Sequence, residues 1–307
     1  MDDARLRTKF IGSLIGCAIG DGLGVYSFHR SRKQLLELKP DERLTYTDDT
    51  AMAIGIAESL SLHGQVDEKL LGDRFKANYQ RDPNRGYANG PIKVFEMVEQ
   101  QGIPYTKAAQ MLFGWQGSLG NGGAMRVGPI GLFFFDSPDI YEQAKVSSSV
   151  THAHPVGVDG AALIAIAVAE ALKLQTVDAF DQQQFVGKLL NAARTRELQA
   201  KMRDIASMLK HGTSDKDVAE ELGRSVRADE SVPFALYSFL KYPLKFEDCV
   251  LCAVCNGGDR DTLGAMAGSI AGACHGVESI PDQWKSNLEN REYIEKLAQL
   301  LLHKRGM

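Results

Sequence analysis

Hydrophobic positions in this chain recur at helical spacing almost from end to end. Between Arg5 and Leu23, the residues Phe10, Leu14, Ile15, Ala18 and Ile19 form one apolar stripe, the signature of a helix with one buried face. The same segment places Gly12, Gly16 and Gly20 four residues apart. Glycine lowers helix propensity, so their shared face predicts the close approach of a neighbouring helix. A second helix is predicted over 48–62, closed by His63-Gly64. Others are predicted over 68–80, 91–101, 105–113, 138–149, 157–174, 182–192, 197–211, 215–225, 232–241, 246–255, 262–275 and 290–304. Alternation of period two never persists, and the apolar run Leu132–Phe135 stands alone. No segment repeats at a fixed period, and proline and glycine fall in short loops instead of one linker. The pattern predicts an all-α chain forming a single domain over 1–307.

Composition narrows the class without naming a function. Of 307 residues, 44% are hydrophobic and 24% charged, the balance of a well-packed globule and not of a disordered chain. A net charge of −4 argues against a surface built to grip nucleic-acid backbone. No apolar run is read as approaching the roughly 20 residues that span a bilayer, and the charged start MDDARLRTKF lacks the apolar centre of a secretion signal. Five cysteines, an odd number, fit a reducing compartment, so a cytoplasmic location is expected, with no membrane partner. Cys249, Cys252 and Cys255 are spaced like iron–sulfur ligands, but they continue a helical pattern, and a fourth ligand would have to come from distant Cys17 or Cys274. Packing is the favoured reading.

Chemistry concentrates in loops rich in glycine and polar residues, over 45–50, 81–90, 113–128, 151–159 and 256–262, which suggest the rim of a site on a rigid scaffold. Two acidic clusters, Thr47-Asp48-Asp49-Thr50 and Asp259-Arg260-Asp261-Thr262, each precede a helix of small residues. Carboxylates beside threonine hydroxyls are hard oxygen ligands of the kind magnesium or calcium requires. The same residues are preferred helix N-caps, and spacing alone leaves both readings open. The segment Gly117-Ser118-Leu119-Gly120-Asn121-Gly122-Gly123 can expose successive amides to a phosphate or form a plain turn. It is neither a P-loop nor a dinucleotide fingerprint. In Thr151-His152-Ala153-His154-Pro155, no third soft ligand lies near, so one polar contact from His152, with His154 at the surface, is expected instead of zinc.

Taken in order, GCAIGDGLG, YTDDTAMA, RDPNRGYANG, GSLGNGGAMRVGPI, THAHPVGVDGA, SVPFALYSFL and GGDRDTLGAMAGSIAGA resemble the ADP-ribosylglycohydrolase family across nearly the whole chain. RDPNRGY, GSLGNGGAMR and ESVPFALYSF look most like the branch that removes ADP-ribose from serine and cleaves O-linked polymers. The resemblance implies a compact orthogonal helical bundle and a magnesium-dependent glycosidase acting on ADP-ribosylated protein or a small ADP-ribosyl conjugate. It implies one or two Mg2+ ions, with Thr47, Asp48 and Asp49 on the first and Asp259 and Thr262 on the second, Asp261 lying between them. Asp48 and Asp49 are then the catalytic candidates. Gly117, Ser118, Gly120, Asn121 and Gly122 match the loop that holds the diphosphate and distal ribose, Phe113 an adenine-stacking position, and His152 a ligand contact.

Three departures accompany the likeness. The family's loop glutamate is replaced in this register by Phe28, with no acidic residue between Asp21 and Glu37. Arg260 occupies the middle of the second acidic cluster, where a small residue is usual, and Leu119 stands where an aromatic can occur. Glutamate plus Mg2+ and phenylalanine plus arginine carry the same net charge. The sequence therefore suggests Arg260 as a substitute for the second ion; the alternative is that it points away from the site. Loss of the glutamate also raises the alternative of a non-catalytic ADP-ribose binder.

Overall fold

The computed structural model describes residues 2–175 and 180–306. Seventeen α-helices and no β-strand occur among the described residues. The strongly periodic segments all form helices, and those the periodicity misses are short: Arg32–Leu36, Gly128–Phe133 and Asp282–Asn287. The Leu132–Phe135 run begins in the second of these. Predicted starts run late where the first turn is polar or contains proline: the helix expected at 232 begins at Ala228, and the one expected at 262 begins at Arg260.

Helix α1 (Asp3–Ser27) and helix α15 (Arg260–His275) run antiparallel through the centre. The glycine face of α1 meets a second glycine row on α15. A Cβ on Gly12 would lie 2.5 Å from the Gly272 carbonyl oxygen, one on Gly16 2.2 Å from that of Gly268, and one on Gly20 1.9 Å from that of Gly264. Backbone therefore packs directly on backbone, closer than any larger residue permits. Helix α9 (Pro155–Lys173) lies against α15, and α17 (Arg291–Arg305) against α1. One continuous hydrophobic cluster runs from Phe10 to Leu301 through this centre.

At 25 and 19 residues, α1 and α9 are long and apolar enough to cross a membrane by length and composition, correcting the expectation that no such run exists. Both are mostly buried inside the protein, where an apolar helix is needed on all sides. Cys249 and Cys252 are buried and Cys255 half-buried on α14 (Phe246–Cys255), all as free thiols, with Cys249 Sγ donating to the Ala267 carbonyl.

Candidate active site

The antiparallel pairing brings the last turns of α1 to the first turn of α15. Gly24 shows the closeness: a Cβ there would lie 2.3 Å from Asp261 Cα. Asp21, buried on α1, pins a third element to the same place. Its carboxylate accepts from the Thr47 and Thr50 amides (2.9 and 3.1 Å) and hydroxyls (2.9 and 2.7 Å), anchoring the start of α3 (Asp48–His63). Two helix N-termini therefore deliver Asp48, Asp49, Asp259 and Asp261 to one end of α1. The sequence reading did not assign Asp21 to the site. The signal was present, since Asp21 continues the stripe of Leu14 and Ala18, where a carboxylate is costly unless partnered.

Capping does not account for these acids. Thr47 is the cap of α3, its Oγ1 accepting from the Asp49 amide, which leaves Asp48 and Asp49 in the first turn. Asp259 occupies the N-cap of α15 but makes no capping bond; its carboxylate accepts from Asn121 Nδ2 at 2.7 Å. Gly257 and Gly258, at φ of 85° and 76°, give the turn that presents it, and a Cβ on Gly258 would strike the Arg224 carbonyl oxygen at 2.0 Å.

Burial and crowding set the electrostatics. Burial pushes Asp21 up to about 7, against the lowering effect of its threonine hydrogen bonds. Asp48 is pushed up to about 7 by burial and then by the charge of Asp261. Asp49 rises well above the carboxylate range through burial, Asp21 and Asp48. Asp259 rises to about 6 by burial, partly offset by Asn121. Asp49 Oδ1 is buried without a hydrogen-bond partner. Carboxylates brought together against their own repulsion, one with an orphaned oxygen, form a cluster whose ionisation is opposed by both burial and mutual charge. All the donors are hard oxygens, as Mg2+ prefers. Among the described residues, no three His, Cys, Asp or Glu side chains are positioned to chelate an ion by themselves.

Arg260 turns away from these carboxylates. Its Nη1 donates to the Ser27 carbonyl at 2.5 Å, and its guanidinium lies over the Phe28 ring at 4.8 Å. It makes no ion pair among the described residues, its guanidinium being held by the Ser27 carbonyl and the Phe28 ring instead of by a carboxylate. Phe28 is 55% exposed and brings no acid to the site. The positive charge felt by Asp48 comes instead from fully buried Arg126.

Arg126 also organises the glycine loop. Its Nη2 donates to Thr151 Oγ1 at 2.7 Å, and that hydroxyl lies 2.8 Å from His152 Nδ1. With one lone pair of Thr151 Oγ1 taken by arginine, its own proton is free to be given to Nδ1, an arrangement that leaves the His152 proton on Nε2. Burial, then the Arg126 charge, takes His152 down to about 3, so the imidazole is neutral. Nε2 faces the loop: a Cβ on Gly122 would lie 2.7 Å from it. Ser118 Oγ accepts the Gly120 amide at 3.1 Å, while the Ser118 and Leu119 amides have no acceptor among the described residues. Asn121, expected as a ligand contact, is buried and spends its amide on Asp259 and Ser231, linking loop to acidic centre. His154, half-exposed, caps α9, its Nδ1 accepting the Val156 amide. Phe113 and Trp115 stand 67% and 61% exposed at the loop's edge, both at positive φ, where α6 (Tyr105–Trp115) breaks from helical geometry. Trp115 was not singled out in the sequence.

The all-helical scaffold, the paired acidic helix starts and the glycine loop define a class of hydrolase. A family model described as ADP-ribosylglycohydrolase matches residues 2–307, and the chain belongs to that family; it is a glycosidase. It is 33% identical to human (Homo sapiens) ADP-ribosylhydrolase ARH3, over 97% of this chain and 94% of that protein. It is 35% identical to ADP-ribosylhydrolase ARH3 of Xenopus tropicalis, over 95% of each. A solved structure titled ADP-ribosylglycohydrolase-related protein complex superposes with a TM-score of 0.74 at 25% identity, covering 99% of this chain and all of that one.

Proposed function

We propose that the protein hydrolyses the glycosidic bond between ADP-ribose and a protein side chain or small conjugate, with Mg2+ as cofactor. The observation that carries this reading is the crowding of Asp21, Asp48, Asp49, Asp259 and Asp261 beside a glycine loop with free amides. Thr47, Asp48, Asp49, Asp259, Asp261 and Thr262 are the residues that would hold one or two ions. When bound, Mg2+ supplies positive charge that orients the vicinal hydroxyls of the distal ribose and favours attack by water. The Ser118 and Leu119 amides donate to the diphosphate. His152 Nε2–H donates to a ligand oxygen, held in that tautomer by Thr151 and Arg126. Asp48 or Asp49 takes the proton of the attacking water, since no other acid stands at the Phe28 loop. Phe113 offers a ring face to the adenine.

Calorimetric titration of ADP-ribose tests the reading. Binding in magnesium is expected, weakened at least about tenfold by EDTA. Absence of binding under both conditions would remove the proposal, and binding indifferent to EDTA would leave a metal-free reader.

The missing loop acid gives a second expectation. A glutamate placed by Phe28→Glu alone would be captured by Arg260, whose guanidinium already covers that position. Phe28→Glu combined with Arg260→Ser is therefore expected to raise kcat by on the order of 10²-fold, the scale of an added acid–base group. Unchanged kcat in the double variant would show that catalysis does not run through this loop.

A further inference from the structure

Two segments from different parts of the chain flank Asp48. One is the run 44–46, which leads into the Thr47 cap and the start of α3. The other is the loop 82–88, which follows the helix Glu68–Arg81: a Cβ on Gly86 would lie 3.7 Å from Asp48 Oδ1. Both are held by a third segment, 287–290, just before α17.

Glu289 is buried at this junction, 243 positions beyond Tyr46. Its Oε1 accepts from the Tyr46 amide at 2.9 Å and from Arg85 Nη1, and its Oε2 lies 3.4 Å from Arg85 Nη2. The same Nη1 donates to the Tyr46 carbonyl at 2.8 Å, and the guanidinium lies over the Tyr46 ring at 4.3 Å. Arg85 Nε donates to Asp82 at 2.6 Å. One ion pair thus grips both backbone polar groups of Tyr46, the residue before the Thr47 cap, and fixes the residue before Gly86. Backbone bonds complete the junction: the Leu44 amide donates to the Asn287 carbonyl at 2.8 Å, and the Glu289 amide to the Leu44 carbonyl at 3.0 Å.

A buried ion pair is a poor source of stability, because desolvating two charges costs about what their attraction returns. What this pair does supply is direction at two points, each one residue from a group at the acidic centre. Asp159 offers the contrast. Equally buried, it accepts from the Arg194 and Thr195 amides and from Tyr141 Oη, pinning the start of α11 (Arg196–His211) to α9. None of its partners is next in sequence to an acid of the site. Resting on the function proposed above, we infer that Glu289, together with Arg85, is a positioning residue for the first acidic cluster. It holds the Thr47–Asp48 segment and loop 82–88 at a fixed separation, so that the ligand oxygens are in place before a cation arrives. Glu289 itself touches neither the cation nor the substrate.

The test is Glu289→Gln, which keeps an acceptor for the Tyr46 amide and removes the charge facing Arg85. Magnesium affinity is measured by calorimetric titration at a temperature where each variant is fully folded, and melting temperature is measured in EDTA. The Kd for magnesium is expected to rise about tenfold, the scale on which partners behind the ligands tune a metal site. Affinity for ADP-ribose at saturating magnesium changes by less than about twofold, since the glycine loop is untouched. Arg85→Lys keeps the charge but cannot reach Glu289, Asp82 and the Tyr46 carbonyl together, so it moves magnesium affinity in the same direction. Asp159→Asn is the control: it lowers the melting temperature and leaves magnesium affinity within about twofold of wild type. If Glu289→Gln lowers the melting temperature with magnesium affinity unmoved, or if Asp159→Asn weakens magnesium as much, the inference is overturned. Should Glu289→Gln not fold, Arg85→Lys decides by the same reading, and failure of both to fold assigns the pair to the fold alone. Absence of magnesium binding by wild-type protein is a separate outcome that removes the cofactor from the proposed function, and this inference with it.

Discussion

Asp48→Asn and Asp49→Asn are each expected to lower turnover by about 10²–10⁴-fold while raising the melting temperature of the protein in EDTA. The two effects have one origin. Both carboxylates are raised by burial and by each other's neighbours, so ionising them costs folding energy that only a bound cation or substrate offsets. The sign follows from linkage. Asp48 titrates near 7 in the folded protein and near about 3.9 unfolded, so the folded state holds the proton more tightly. Stability of the metal-free protein is full below about pH 4 with respect to this group and falls as pH rises through 7. Asparagine removes that loss, and the gain over wild type in EDTA is greater at pH 8 than at pH 5. Magnesium stabilises wild type most at pH 8, where its ligands are already ionised, and the variants less. Thermal denaturation at both pH values, with magnesium and with EDTA, reads this directly. A variant destabilised in EDTA at pH 8 would show that these carboxylates serve the fold and not a cation.

Gly268→Val should be severely damaging although it lies outside the acidic centre. A Cβ at this position lies 2.1 Å from the Gly16 carbonyl oxygen, so α1 and α15 must separate along their whole contact. Overpacking of this kind costs about 3 kcal/mol or more, since the obstacle is backbone and cannot rotate away. A fall in melting temperature on the order of 10 °C is expected, or failure to fold. The same separation moves Asp261 from Asp21, because both sit on the pair. Loss of magnesium-dependent stabilisation should therefore accompany the loss of stability in any protein that still folds. A shift of less than about 2 °C would mean that the helices tolerate the extra volume and that the glycines do not set their spacing.

The helices and the loops around the site were legible because their causes are local. Periodic stripes, the Gly64 stop and the acidic pairs at 48–49 and 259–261 can be read in windows of a few residues. The three missed helices are at most six residues long, too short for a period to show. Asn121 was legible as a loop residue but not as the partner of Asp259, 138 positions away. Arg260 suggested a charge within the site, whereas its direction depends on Ser27 and Phe28, which only folding brings beside it.

By itself, the sequence determined that the chain is all-helical, that acidic pairs open two of its helices among glycine-rich loops, and which family it resembles. These follow from spacing and residue type, which propagate over a turn or two of chain. Tertiary structure alone decided that α1 and α15 lie antiparallel at backbone distance, that Asp21 ties α3 to their end, and that the buried charge of Arg126 acts on Asp48. It also decided that Arg260 faces away. Each of these depends on which distant surfaces exclude water from one another, and burial of that kind has no signature within a single segment.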